Sequence, residues 1–303
     1  MPSRRTQLRY LVTAAREGQI TAAANKLKLA QPTLSQAIAQ LECELGVSLL
    51  ERHRNGVTLT PAGETFIVKA SEALAAESDA ARTGEELARA ADGTIVVGFV
   101  GPPPLMSTPE LFADFSDNHP DAQIDFRDLP FPQGSTSTWL AGVDVALCHR
   151  PCTESGVSVH TVRVEPRAIV FRRDHHLASR RSLGVEDVID ETFVGYHASI
   201  QEGWAGFHSL DDHRGGPPKQ VTADHALTSL QMLGIMSCSR GTTTVPQADA
   251  RLAQQVAQNI VAVPLADAEP AQVSLVWRTE NRNPLLQALV AAARRIPTQV
   301  HGV

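Results

Sequence analysis

The chain has 303 residues, too long for a single small module at ~100–200 residues per domain, and is 43% hydrophobic, enough to build proper cores. No run of ~18 apolar residues occurs, which excludes a membrane-spanning helix. The basic start MPSRRTQLRY lacks the apolar stretch and cleavage site of a secretory signal. The net charge of −6 conceals a division: residues 1–60 hold eight basic and four acidic side chains, +4, so the rest carries −10. A basic head on an acidic body suits a DNA-binding module joined to a solvated effector module. Cys43, Cys148, Cys152 and Cys238 are scattered without a disulfide framework, which fits a reducing cytoplasm.

Leu8, Leu11, Val12 and Ala15 recur at helical spacing, and Gly18 closes that first helix. Thr21 is the predicted N-cap of a short second helix through Lys28, buried by Ala22, Ala23 and Leu27. After the turn Leu29-Ala30-Gln31, Pro32 takes the first position of a third helix, where its missing N–H costs nothing. Ile38, Leu41 and Leu45 fall within about 40° of Leu34 on the helical wheel, and Gly46 ends the helix. Two helices across a tight turn, the second with one apolar stripe, predict a helix-turn-helix. Pro32, Gln36, Ala39 and Cys43 lie opposite that stripe, flanked by Ser35 and Gln40. Gln and Ser can hydrogen-bond base edges, and Ala39 lets the backbone approach a groove. Asn55-Gly56, between Glu51-Arg52-His53-Arg54 and Val57-Thr58-Leu59-Thr60, predicts a tight hairpin with positive φ at both central residues. This wing places Arg52 and Arg54 for phosphates or a narrow minor groove.

Pro61 opens a long helix to roughly Ala91, with Thr60 as its N-cap. Phe66, Ala73, Ala80 and Leu87 repeat every seven residues, as do Ile67, Leu74, Ala81 and Ala88, a double stripe suited to close helix pairing. From Gly93 short apolar runs alternate with helical ones: 95–100, 122–126, 143–147, 168–171, 261–265 and 273–277. This alternation predicts α/β architecture with largely parallel sheets. Ligands gather beyond the carboxyl ends of such strands. The candidate positions there are Gly101, Pro102, Pro103, Ser135, Thr136, His149, Arg150 and His197. Pro102-Pro103-Pro104 removes three N–H donors, so an anionic effector is expected to lean on Thr136, His149 or Arg150.

The stretch QLRYLVTAAREGQITAAANKLKLAQPTLSQAIAQLECELGVSLLERHRNGVTLTPAGE resembles the winged-helix signature of LysR-type transcriptional regulators, most tellingly in AAANKL, AQPTLSQAI, LECELGVSLLER and LTPAGE. Weaker echoes in GVDVAL, EPRAIVFRRDHHLA and SLQMLGIMSCSR extend the likeness over the whole chain. The resemblance implies an N-terminal, mainly α winged helix-turn-helix (1–60) and a linker and dimerisation helix (61–92). Beyond them it implies a C-terminal α/β effector domain (93–303). That domain would comprise two Rossmann-like subdomains, 93–163 with 271–303 and 164–270, similar to periplasmic binding proteins, with a small-molecule cleft between them. It further implies DNA contacts from Gln31, Thr33, Ser35 and Gln36, backbone contacts from Thr21 and Thr60, and wing contacts from Arg52 and Arg54; Pro32 is grouped with them. Ser135 and Thr136 match a position where the family often meets its effector. Many members carry Arg where Gln36 stands here; Gln favours adenine where Arg favours guanine. The implied partners are double-stranded DNA with an interrupted dyad, a second copy in a homodimer or homotetramer, and a small-molecule co-inducer, with RNA polymerase a further candidate.

No G-x-S-x-G, P-loop, HExxH or strand-borne G-x-G-x-x-G occurs, so neither catalysis nor a resident cofactor or metal is expected. The alternative is a thiol redox sensor using Cys148 and Cys152, with His149 as the neighbour that lowers a thiol pKa.

Overall fold

The structure, a computed structural model, describes residues 2–101, 108–149, 154–296 and 298–300. It comprises two units, Met1–Gly84 and Glu85–Val303. In the first, α1 (Arg4–Glu17), α2 (Ile20–Lys26) and α3 (Gln31–Leu45) precede a hairpin of β1 (Leu50–His53) and β2 (Gly56–Leu59), and α4 (Pro61–Ala91) begins. Gly18 and Gly46 stop α1 and α3 in left-handed backbone, where a Cβ is disfavoured. Leu11, Ala14, Ala23, Leu34, Ile38, Leu41 and Leu49 form the buried centre. Glu42 accepts the Leu49 and Leu50 N–H groups at 2.7 and 2.9 Å, fixing the turn that leads into the hairpin. Thr60 caps α4 by accepting the Gly63 N–H at 2.9 Å, and donates to the Ser48 carbonyl at 2.7 Å.

Three local expectations change. Helix α2 starts at Ile20 after Gln19, so Thr21 sits inside its first turn and caps nothing. Pro32 is the second residue of α3 rather than the first, still within the turn whose N–H groups have no partner in the helix. The hairpin register pairs His53 with Gly56, so Arg54 and Asn55 form the turn, and Asn55 is not among the positive-φ residues. Gly56 answers a different constraint. The Val57 N–H donates to the Gly18 carbonyl at 2.8 Å, and a Cβ on Gly56 would overlap that oxygen. Gly63 lies equally close to the Leu49 carbonyl.

The second unit contains β3 (Thr94–Phe99), α5 (Pro109–Asn118), β4 (Gln123–Asp128), α6 (Thr136–Trp139), β5 (Val145–His149), β6 (Val157–Glu165) and β7 (Arg167–Arg172). It continues with β8 (Phe193–Tyr196), α7 (Glu202–Ser209), α8 (Asp211–Arg214), β9 (Val221–Ala226), α9 (Ser229–Cys238), β10 (Thr243–Pro246) and α10 (Gln247–Val256). The last elements are β11 (Ile260–Pro264), β12 (Ala271–Arg278), α11 (Pro284–Arg295) and β13 (Gln299–Val300). One sheet runs β13-β6-β12-β5-β3-β4, a second β10-β7-β11, and β8 pairs with β9.

The sheets are mixed rather than largely parallel. β3 runs parallel to β4 and β5, but β12 is antiparallel to β5 and β6, and β7 is antiparallel to both its neighbours. The cause lies in the connections. Only Pro166 separates β6, in the first sheet, from β7, in the second, so the chain passes directly from one sheet to the other there. The chain leaves the first sheet along β6 and returns along β12, so these two strands run side by side in opposite directions.

The end of α4 is built into the first sheet. Glu86 pairs with Arg278 at the end of β12, both buried, and Arg278 also donates to the Leu140 carbonyl at 2.6 Å. Arg89 reaches Asp144 at 3.3 Å, while the other Asp144 oxygen accepts the Val96 N–H at 2.8 Å.

Gly56→Ala is expected to cost the first unit about 1–3 kcal/mol, because a methyl group must push apart backbone that is already in contact. Amide hydrogen exchange in α1–α3 reads this directly. Gly216→Ala, with open space around it, serves as the silent control, and equal protection in the two variants would refute the close-approach account.

Candidate functional site

The basic head presents two candidate surfaces. On α3, Leu34, Ala37, Ile38 and Leu41 are buried, while Gln31, Pro32, Thr33, Gln36 and Ala39 are exposed and Ser35 is half-buried. The helical wheel thus separates the two faces as the sequence predicts, except that Leu45 is 39% exposed. Beside the wing, Thr21, Arg52, His53 and Arg54 line a polar groove of about 560 Å³ that Gln19 and Asn55 help to close. Arg4 pairs with Glu44, Arg5 with Glu77 and Lys26 with Glu17. Among the described residues, Arg52 and Arg54 have no acidic partner, so their charge is available to a ligand. Thr60 is placed differently: its hydroxyl is taken up by Ser48 and the start of α4.

The effector candidates fall into two groups. Ser135 caps α6 by accepting the Thr138 N–H at 3.2 Å. Thr136 is buried, its N–H held by Glu154 and its hydroxyl 3.3 Å from Gln201 Nε2. His197 is exposed and bonded to Ser199 at 2.9 Å, and Ser199 donates to Gln133, so these three candidates share one hydrogen-bonded corner. Gly101 and His149 belong instead around Asp249, in the first turn of α10. His149 Nε2 lies 3.2 Å from Asp249 Oδ2, and a Cβ on Gly101 would sit 3.5 Å from the same oxygen. Pro102, Pro103 and Arg150 lie outside the described residues, as does Cys152.

Next to Gly101 and Asp249 lies a cavity of about 390 Å³. Its walls are apolar side chains of α9 and α10, among them Met232, Leu233, Met236, Leu252, Ala253 and Val256, together with Val170 and Val245. Phe99 and Asp128, at the carboxyl ends of β3 and β4, close the other side. A mostly apolar concavity with a few convergent polar groups, here Asp249, Ser229 and Thr243, has the makings of a small-molecule site. The sequence reading missed α9 and α10 as walls. The available signal was SLQMLGIM, apolar around the whole helix, which implies cover on every side, although Leu230 stays 76% exposed.

Among the described residues, the ionisable groups beside the cavity carry no free positive charge. Burial, with the nearby Arg163 guanidinium, lowers the His149 pKa to about 4, so the imidazole is neutral at neutral pH. Burial, then the neighbouring Glu165 carboxylate, pushes the Asp249 carboxyl well above the usual range, against the pull of Arg163. Arg163 itself donates to Glu165 at 3.0 Å, and the other Glu165 oxygen accepts the Ala248 N–H at the start of α10 at 2.9 Å.

One further histidine cluster surrounds Glu191. His175 and His176 both approach Glu191 at 3.3 Å. His175 Nδ1 accepts the Leu177 N–H, which places its ring proton on Nε2, toward Glu191. Cys148 is buried in β5, while Cys43 and Cys238 are exposed.

Known proteins place these features in context. Residues 6–64 match the family described as "Bacterial regulatory helix-turn-helix protein, lysR family", and residues 88–296 match the "LysR substrate binding domain". The HTH-type transcriptional regulator AlsR of Bacillus subtilis is 27% identical over 93% of both chains. TdfR of Cupriavidus pinatubonensis is 28% identical, over 95% of this chain and 97% of its own. The crystal structure of full-length BenM aligns with a TM-score of 0.52 at 25% identity, over 97% of this chain and 96% of that one. Full-length CbnR complexed with its target DNA has the same fold, with a TM-score of 0.50 at 23% identity, over 97% and 99% of the two chains. The chain therefore belongs to the lysR family, bacterial DNA-binding transcription regulators that join a helix-turn-helix to a substrate-binding domain.

Proposed function

We propose that this regulator reads DNA with the exposed face of α3 and the wing arginines, and that a small molecule in the α9–α10 cavity controls it. The observation that carries the DNA contacts is the groove that brings Thr21, Arg52 and Arg54 together, with both guanidinium groups unspent on acidic neighbours. Guanidinium groups in a wing neutralise phosphates, while Gln31, Thr33, Ser35 and Gln36 on α3 offer the donors and acceptors that read base edges. Full-length CbnR has been crystallised with its target DNA, and the same docking is the reading for this chain. In α4, Ala73, Ala80, Ala81, Leu87 and Ala88 are exposed on one stripe, and a second copy covering it gives a homodimer or homotetramer on an operator with an interrupted dyad. The regulator works in the cytoplasm, without catalysis of its own; among the described residues no helix is long and apolar enough to cross a membrane.

The redox alternative gains nothing specific. Cys148 is buried, and the likeness to OxyR structures, at 21–22% identity, is one of fold. The effector reading is favoured because a cavity of ligand size is present.

Replacing both Arg52 and Arg54 by Ala should flatten the dependence of log K on log salt by about two units, one for each lost phosphate contact. Fluorescence anisotropy on genomically footprinted sites measures the slope, and an unchanged slope removes the wing from the interface. Gln36→Ala should cost about 1–3 kcal/mol on the cognate site and little on random DNA. Equal losses on both would reassign Gln36 to a phosphate. Ala80→Glu should shift sedimentation from oligomer to monomer, and an unaltered profile would place the dimer contact elsewhere.

A further inference from the structure

The cavity carries information about the chemistry of its ligand. Among the described residues no Lys or Arg lines it, and its two ionisable groups are both acidic, Asp249 within and Asp128 at the exposed rim. The nearby Arg163 guanidinium is committed to Glu165. His149 does not supply positive charge either, because it stands neutral against Asp249. A carboxylate entering here would lose its hydration against Met and Leu side chains and meet a second carboxyl group, with no described Lys or Arg on the cavity wall to offset it. A hydroxyl or an amine in the same place finds an acceptor. We propose that the α9–α10 cavity takes a mainly apolar ligand whose polar end donates a hydrogen bond, as a hydroxyl or an amine, to Asp249, and that it discriminates against carboxylates of the same shape.

The inference rests on the reading of this cavity as the effector site and goes beyond it by assigning the ligand class. Asp249 is positioned for the task. It sits in the first turn of α10, whose start Glu165 holds through the Ala248 N–H, and its Oδ2 faces both His149 and the open side of Gly101. Glycine at 101, with φ of 90°, keeps a side chain out of the approach to that oxygen.

The test uses the full-length protein and three probes that share one skeleton: para-butylphenol, para-butylbenzylamine and para-butylbenzoate. Titration calorimetry near neutral pH compares the wild type with Asp249→Asn and with Leu233→Trp, which fills the cavity. Circular dichroism and melting temperature establish that each variant is folded. The expected result is binding of the phenol and the amine, with the benzoate at least about tenfold weaker. Asp249→Asn should then narrow the gap between amine and benzoate, and Leu233→Trp should abolish binding of all three. A benzoate that binds as well as the phenol overturns the assignment of ligand class and leaves the cavity as a site. Asp249→Asn without effect on the order of the three probes removes Asp249 as the seat. If no probe binds the wild type better than Leu233→Trp, the cavity is not the effector site, and the underlying reading falls together with the inference.

Discussion

The second unit turns on one buried cluster of a guanidinium, an imidazole and two carboxyl groups. Where β6 leaves the first sheet, one buried guanidinium, Arg163, faces two carboxyl groups, Glu165 and Asp249, with the neutral His149 wedged beside them. Among the described residues, one cation here faces two buried carboxyl groups, and the imbalance is settled by position. Glu165 takes both the guanidinium and the backbone N–H at the start of α10, so its charge is stabilised by hydrogen bonds and by the helix end. Asp249 is left with an imidazole that burial keeps unprotonated. A carboxyl group so poorly compensated is held in place by the elements around it, and it faces the cavity.

The same constraint ties the fold to the cavity. Strand β6 supplies both Arg163 and Glu165, and the chain passes through Pro166 directly into β7, the central strand of the second sheet. Because Glu165 anchors α10, the crossing strand fixes one wall of the cavity, while Phe99 and Asp128 at the ends of β3 and β4 come from the first sheet. The two sheets share an apolar core that runs from Val96 and Phe131 to Val170, Val194 and Val245. A change in the spacing of the two sheets therefore changes the cavity, and a ligand that prefers one spacing shifts the population toward it.

What the sequence revealed follows from how local each cause is. The head was legible because helical spacing, terminating glycines and a short hairpin are set by neighbours within a few residues, and Leu34, Ile38 and Leu41 face inward as their spacing requires. The misreadings there arose from contacts between elements. Asn55-Gly56 looked like the centre of a tight turn, yet Gly56 is required by the approach of the α1–α2 corner, where the Gly18 carbonyl lies 38 positions earlier in the chain. In the sensing half, six apolar runs marked strands correctly, but β6 escaped notice because His160, Arg163 and Glu165 interrupt its apolar pattern. Its polarity is the signature of its role: it carries buried charge that only the folded neighbours Asp249 and Ala248 explain. Gly101 was legible from the rule that ligands gather at strand ends, whereas Met232, Leu233 and Leu252 were not, since residues of an apolar helix look alike whether they meet a core or a cavity.

The last turns of α4 are fixed to the first sheet of the second unit by buried ion pairs. Glu86 is buried against Arg278, and Arg278 ends β12, the strand on which the chain returns from the second sheet. Arg89 engages Asp144, which also holds the Val96 N–H of β3, next to the strand ends that border the cavity. Breaking one partner of such a buried pair strands a charge, at a cost of about 3–5 kcal/mol, so these anchors resist slipping as the sheets adjust. An end fixed in this way moves with the sheet that holds it. The last turns of α4 thus belong mechanically to the sensing half, while its first turns, capped by Thr60 and packed through Gly63 against Leu49, belong to the DNA-binding half.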